Sequence, residues 1–460
     1  MLLMTLIIVA VLVSGFLLMS TEQLHHVNRA AVAMVCGVIV WVIYLLRGQE
    51  YVQLMHSGEY LEFLNGAAST SASLKTFVAE HVITRYIGEA CSVILFLIAT
   101  NTIVEVLHNN GVFDSLIDWL RMRNSRTFLW VISLLTFAIS ANVDNFTTVV
   151  LMMSIITQIV RNHHQRVIYA CTIMIAACMG GCFTAIGDMT SVMLWVRGVI
   201  TPSAYAAGLF LPAFSSTCVF NLLIAQKLHG RVELFSVLSR YNGDDSSLAA
   251  WQKVLLLVLG IAGLWFIPSF HVITKLPPFL GALSVLALVW AVEGLCNLER
   301  NGNVLMVQRH YFRTTEFIGM RLILYFLGIT LCIGALAECG ALDYVGTWLE
   351  RNVSNVYIYG GIVGVLSAVM DNVPLMMTGM NLFSLDEVAG STSPFVQNGI
   401  YWQLLSFCCA CGGCLLFIGT MAGQAVLEVE RIRFKWYIRH YLWRALLAWL
   451  VGIGVFWLTH

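Results

Sequence analysis

Ser140-Ala141-Asn142-Val143-Asp144-Asn145-Phe146-Thr147-Thr148 sets a carboxylate, two amides and a pair of threonines between two uncharged runs, Thr127 to Ile139 and Val149 to Val160. A charge at such a place is costly inside a membrane and marks a functional site by default. The pattern returns 227 residues later as Ser367-Ala368-Val369-Met370-Asp371-Asn372-Val373-Pro374. The rest of the chain reads as two copies of a scaffold that holds these Asp-Asn elements near each other.

The 460 residues are 59% hydrophobic and 11% charged, against about 25% charged in soluble domains. The formal net charge is zero, so nothing in the overall charge points to nucleic acid. Apolar runs of about 20 residues, enough to cross a bilayer, recur throughout. Residues 1–19 lack a basic leader and an Ala-x-Ala cleavage site, so they read as a first span.

Further spans are expected at 30–46, 88–107, 203–226, 251–270, 277–297, 322–339 and 437–457. The polar stretch 47–87 follows the second. Phe113 to Leu120 and 341–350 read as interfacial helices. Segments 127–160 and 354–383 each carry Asp-Asn at the middle. Two short helices meeting at a polar tip, a re-entrant hairpin, fit them better than one straight helix.

Segments 167–199 and 399–428 read as spans broken at glycines. Gly180-Gly181-Cys182 with Ile186-Gly187 and Met189 matches Gly412-Gly413-Cys414 with Ile418-Gly419 and Met421, at an offset of 232. This internal duplication defines an all-α polytopic membrane protein. It is expected to hold two inverted repeats, each with a re-entrant helical hairpin and a broken transmembrane helix. The expected divisions are 1–87 (two spans and an extracytoplasmic polar segment), 88–226 (first repeat), 227–321 (a linker with two spans) and 322–460 (second repeat).

Basic residues orient it. With the base of the first hairpin in the cytoplasm, Arg121, Arg123, Arg126, Arg161, Arg166, Lys227, Arg231 and Arg240 lie inside. So do Arg300, Arg309, Arg313, Arg321, Arg431, Arg433, Lys435 and Arg439. Arg47, Lys75, Arg85, Lys275 and Arg351 stay outside, in keeping with the positive-inside rule. The second hairpin then enters from the opposite side, beside Glu350, Asp386 and Glu387.

Asp144, Asp188 and Asp371 fall at breaks in apolar segments, with no Lys or Arg expected at a matching depth. Asn145, Asn372, Thr147, Thr148, Thr184, Thr190 and Thr420 supply oxygen ligands of the kind hard cations take. Burial favours the neutral form of a carboxyl, so such a centre can hold a proton and yield it to a cation. The alternative is that these aspartates only cap and pack the hairpin helices. Glu89 and Glu105 are candidates for a proton path, and His81 for pH sensing. The cysteines inside apolar runs read as small packing residues, and Cys411-x-x-Cys414 lacks the second pair a zinc site needs.

Asp-Asn at a hairpin tip, Gly180-Gly181-x-x-Thr184-x-Ile186-Gly187-Asp188-x-Thr190, the second Ser-Ala-x-x-Asp-Asn-Val-Pro-Leu and Gly412-Gly413 with Ile418-Gly419 together resemble the NhaD-type sodium/proton antiporters of the ion transporter superfamily. Thr102-Ile103-Val104-Glu105-Val106-Leu107 and Tyr401-Trp402-Gln403-Leu404-Leu405 support the likeness, which runs from about residue 80 to the C-terminus. Asn142, Phe146 and Cys182-Phe183 depart from the family pattern. The resemblance implies a secondary transporter, not an enzyme. It would be a proton-driven exporter of Na⁺ or Li⁺ in the bacterial inner membrane, a homodimer without cofactor, with Na⁺ at Asp144, Asp188 and Asp371. Two rivals stay open: a transporter of arsenite or a carboxylate in the same superfamily, and an intramembrane aspartyl protease using Asp144 and Asp188.

Overall fold

The computed structural model describes residues 2–25, 27–113, 120, 122–235, 248–301, 319–353, 355–386 and 393–460. Residues 114–119 of the interfacial helix expected at Phe113 to Leu120, the centre of the linker around Asp244 and most of the basic loop 298–321 lie outside them.

The described chain is helical and carries eight helices long and apolar enough to cross a membrane. In chain order the first are α1 (Leu2–Ser20), α2 (Arg29–Leu46), α3 (Gly48–Met55), α4 (Ser57–Leu64) and α5 (Ser71–Asn109). Next come α6 (Ser125–Ser140), α7 (Asn145–Ile159), α8 (His163–Gly181), α9 (Met189–Val196) and α10 (Pro202–Ala225). They are followed by α11 (Ala250–Thr274), α12 (Pro278–Asn301), α13 (Gly319–Glu338), α14 (Ala341–Asn352), α15 (Val356–Val369) and α16 (Asn372–Leu382). The last are α17 (Ile400–Gly413), α18 (Met421–Glu430) and α19 (Phe434–Thr459).

Each expected span falls on a helix, with one difference of extent. The span read at 88–107 belongs to a helix that starts at Ser71, because hydropathy marks only the lipid-crossing part of a helix. The stretch 47–87 accordingly folds into α3, α4 and the start of α5.

The two Asp-Asn segments fold as pairs of short helices, α6–α7 and α15–α16. Asn124 caps α6 by accepting from Arg126 N, and Asn355 caps α15 by accepting from Tyr357 N. Hydrogen bonds to the segment 228–235 close the base of the first pair: Val232 N to Arg123 O at 2.9 Å, Arg161 N to Glu233 O at 2.8 Å and Phe235 N to Ile159 O at 3.1 Å. The base of the second pair, at Leu382 and Phe383, borders a cavity of about 1190 Å³ that Arg85, Glu89, Arg197, Asp343 and Glu350 also line.

Small residues let the elements approach. Gly328 on α13 lies against the backbone of Ala33 and Met34 on α2, and Gly364 on α15 lies under the Trp449 ring of α19. The main buried core runs through α5 to α10 and α15 to α19, and a second core joins α1 to α4 with one face of α13.

Candidate ion-coupling site

The two hairpin tips share a local geometry. Asp144 caps α7 by accepting from Phe146 N at 3.1 Å, and Asp371 caps α16 by accepting from Val373 N at 3.2 Å. A short polar side chain before a helix satisfies one of its free N–H groups in this way. Just before each tip a buried serine reaches the neighbouring broken segment: Ser140 Oγ donates to Ala177 O and Ser367 Oγ to Cys409 O, both at 2.7 Å.

The breaks are paired too. α8 ends at Gly181 and α9 begins at Met189; α17 ends at Gly413 and α18 begins at Met421. A Cβ on Gly187 would stand 2.5 Å from Ser140 O, and one on Gly419 would stand 2.1 Å from Ser367 O. Only a glycine lets each unwound strand lie this close to its hairpin tip. Gly180 and Gly412 meet the hairpin backbone at Phe137 and Gly364, while Gly181 and Gly413 meet the backbone of Gly187 and Gly419. Beyond the breaks, Tyr205 OH donates to Cys182 O at 2.7 Å and Tyr437 OH to Cys414 O at 3.3 Å.

At the first centre Asn145 Nδ2 donates to Asp188 Oδ1 at 2.8 Å, and Thr190 Oγ1 donates to Asp188 Oδ2 at 2.5 Å. Thr190 also lies 3.4 Å from Ser406 on α17, which meets Tyr205 OH at 2.6 Å. Thr147 donates to Asn101 Oδ1 on α5 at 2.9 Å, and Thr184 donates to Ala141 O at 2.7 Å. Thr148 Oγ1 is 3.4 Å from Val143 O. Asp144, Asn145, Thr148, Asp188 and Thr190 are all buried. Asp144 Oδ1 is buried with no hydrogen-bond partner.

The second centre is not a copy in chemistry. Thr420 stands where the first half has Asp188 and spends its hydroxyl on Gly423 N at 3.1 Å. The backbone N–H of Asn372 donates to Gly419 O at 3.3 Å. Asp371 Oδ2 takes Arg29 Nη1 at 3.1 Å. This corrects the expectation that no cation lies at the depth of the aspartates. Arg29 is the first residue of α2, and its guanidinium sits over the Tyr325 ring at 5.0 Å. It was missed because it stands at the edge of an apolar run, 342 residues before its partner. Among the described residues no three His, Cys, Asp or Glu side chains converge as a metal site, so the three aspartates do not form one cluster.

The other expected residues lie apart from the tips. Glu105 is half-buried and faces a cavity of about 240 Å³ that Asn101 and Thr147 also line. Glu89 lies 3.7 Å from Arg85 and 3.7 Å from Arg197 at the large cavity. His81 is exposed and stacks on Phe77 at 5.1 Å, twenty residues or about 30 Å of helix from Asn101. Asn142 turns its amide back to Ala138 O at 2.8 Å. Cys182 and Cys411 pack with their sulfurs 3.4 Å apart where the two broken segments meet. Asn101, Ser406 and Tyr205 also escaped the sequence reading, although an asparagine in the middle of an apolar span was a usable signal.

Eight apolar helices around two buried carboxylates, one at a hairpin tip and one at a broken segment, define a multi-pass membrane protein built as a transporter. The model of the citrate transporter family matches residues 16–397, and the chain belongs to that family. It is 28% identical to Sodium/proton antiporter 2 of Arabidopsis thaliana over 97% of both chains. It is 32% identical to Sodium/proton antiporter 1 of the same plant, over 81% of this chain and 62% of that one. Against the Na(+)/H(+) antiporter NhaD of Vibrio parahaemolyticus it is 27% identical, over 81% of this chain and 90% of the relative. The likeness to NhaD-type antiporters thus covers most of the chain and is not confined to the motifs.

Proposed function

We propose that this chain is a secondary transporter that exchanges Na⁺, or Li⁺, for H⁺ at a centre made by Asp144, Asn145 and Asp188, with Thr147, Thr148, Thr184 and Thr190 as supporting oxygens. The observation that carries this reading is the buried, unpartnered Oδ1 of Asp144 beside a second buried carboxylate. An ionised carboxylate out of water costs several kcal/mol unless paired, about the amount a bound proton or cation returns. Na⁺ and H⁺ therefore compete for the same oxygen, and one must leave before the other binds.

Access from alternate sides completes the cycle. The base of the first hairpin is clasped by 228–235, and the base of the second opens on the large cavity; both facts support hairpins that enter from opposite faces, hence inverted repeats. Glu105, half-buried beside Asn101 and Thr147, is a stepping stone for the proton on one side. Glu89 belongs to the cavity on the other. We carry over the homodimer and the bacterial inner membrane from the NhaD-type likeness; relatives in a plant widen the choice of membrane.

A carboxylate cargo, which the family's name favours, needs a free positive charge at the tips. Arg29 is held there by Asp371, and two unneutralised carboxylates repel an anion, so the exchange of cations is the better reading. The test is proton movement in everted vesicles on separate additions of NaCl, LiCl, KCl and citrate. Proton release on NaCl or LiCl, lost in Asp144→Asn at equal expression, is expected. A response to citrate alone would overturn it.

A further inference from the structure

The duplicated frame provides two hairpin tips, each with a capping aspartate, a serine bridge and a glycine approach of the same kind. Their charge balance differs. The first centre holds Asp144 and Asp188, and among the described residues neither is in an ion pair. The second holds Asp371 alone, since Thr420 replaces the other carboxylate, and Asp371 is already paired with Arg29 at 3.1 Å.

We infer that Arg29 is a tethered cation that occupies the ion position of the second hairpin tip, so that each protomer carries one Na⁺, at Asp144 and Asp188, and not one at each tip. This rests on the exchange reading above and deepens it. Arg29 is fixed for the task. Asn28 caps α2 by accepting from Ala30 N at 2.9 Å, which sets the arginine on the first turn. The Tyr325 ring lies under the guanidinium, a favourable face for a cation, and Glu22 holds the other side with Oε2 at 3.9 Å from Nε. The side chains of Arg29 and Asp371 are 13% and 10% exposed, so the pair is nearly dry. A Na⁺ added between Asp371 and Arg29 would have to share the Asp371 carboxylate with a guanidinium already 3.1 Å from it, in a place largely shielded from water. The same ion at the first centre reduces two negative charges to one. Glu22 offers Arg29 a second carboxylate within reach, so the arginine is not stranded if the hairpin moves.

The experiment is equilibrium binding of ²²Na⁺ to the purified full chain in detergent, counted per protomer. One ion is expected in the wild type, two in Arg29→Gln, one again in Arg29→Gln with Asp371→Asn, and none in Asp144→Asn. Two ions in the wild type would overturn the inference, as would one ion in a folded Arg29→Gln. Loss of the single ion in Asp371→Asn alone would also overturn it, because Asp371 would then be a ligand. That variant and the wild-type count keep the test decisive if Arg29→Gln fails to fold. Failure of the underlying exchange reading has another signature: no ion in the wild type, or an unchanged count in Asp144→Asn.

Discussion

Asn145 and Asp188 are joined by a 2.8 Å hydrogen bond from amide to carboxylate, which ties the first residue of α7 to the residue that precedes α9. The hairpin tip and the broken segment are thereby one unit, and movement of either is felt by both carboxylates. Replacing Asn145 with Leu removes that donor. A hydrogen bond to a charged group is worth about 1.5–3 kcal/mol, which is about tenfold or more in affinity. The half-saturating Na⁺ concentration in proteoliposomes should rise by that factor.

Asp188→Thr gives the first half the residue its counterpart has at Thr420. The variant should fold, since a threonine can cap a helix as Thr420 does, and exchange should fall to background at equal expression. Retained pH-dependent exchange would show that the second carboxylate is incidental.

The proposed competition between Na⁺ and H⁺ predicts that apparent Na⁺ affinity strengthens as pH rises, until the centre is fully ionised. Below that point each pH unit should weaken it up to about tenfold per competing proton. The curve reports the Asp144 and Asp188 group, not either alone. It is measured as half-saturating Na⁺ from acid to alkaline pH, with equal pH on both sides. A flat curve with only the maximal rate changing would remove competition from the mechanism.

Gly187→Ala and Gly419→Ala should each destabilise the protein, because the added Cβ would press on Ser140 O or Ser367 O at 2.5 and 2.1 Å. Forcing a methyl into a filled site costs about 1–3 kcal/mol. Gly58→Ala is the control, since nothing lies within 4 Å of its Cβ position. Thermal unfolding in detergent should separate the two glycines at the breaks from the control.

His56 links α3 and α4 to the end of α13 through Nε2 to Glu338 Oε2 at 2.7 Å, and Tyr86 OH donates to the other oxygen at 2.9 Å. The Glu338 carboxylate holds the imidazolium and raises the His56 pKa above its ordinary value, against the opposing effect of burial. A raised folded-state pKa gives stability that is full below the unfolded pKa, about 6.5, and is lost as pH rises through the folded value. His56→Gln should therefore lower the melting temperature most at acid pH, and the gap from wild type should close in alkali. A gap independent of pH would leave only packing as the role of His56.

What the sequence determined by itself is local. Runs of about 20 apolar residues set the spans through the cost of burying backbone and charge in lipid. Asp144 and Asp371 announce helix starts because a carboxylate meets the N–H groups just after it. The glycine pairs at 180–181 and 412–413 announce breaks because the backbone there must pass close to another. What only the tertiary structure decided is which side chains meet across the bundle. Arg29 reaches Asp371 over 342 residues, Thr190 approaches Ser406 over 216, and His56 meets Glu338 over 282. Those meetings depend on the rotation and depth of each helix. Close approaches such as Gly328 on Ala33 set these, and no periodicity along one segment encodes the rotation of its neighbour. The duplication therefore made the two centres look alike in the sequence, while the packing of α2 set Arg29 against Asp371 and, among the described residues, left Asp144 and Asp188 without an ion pair.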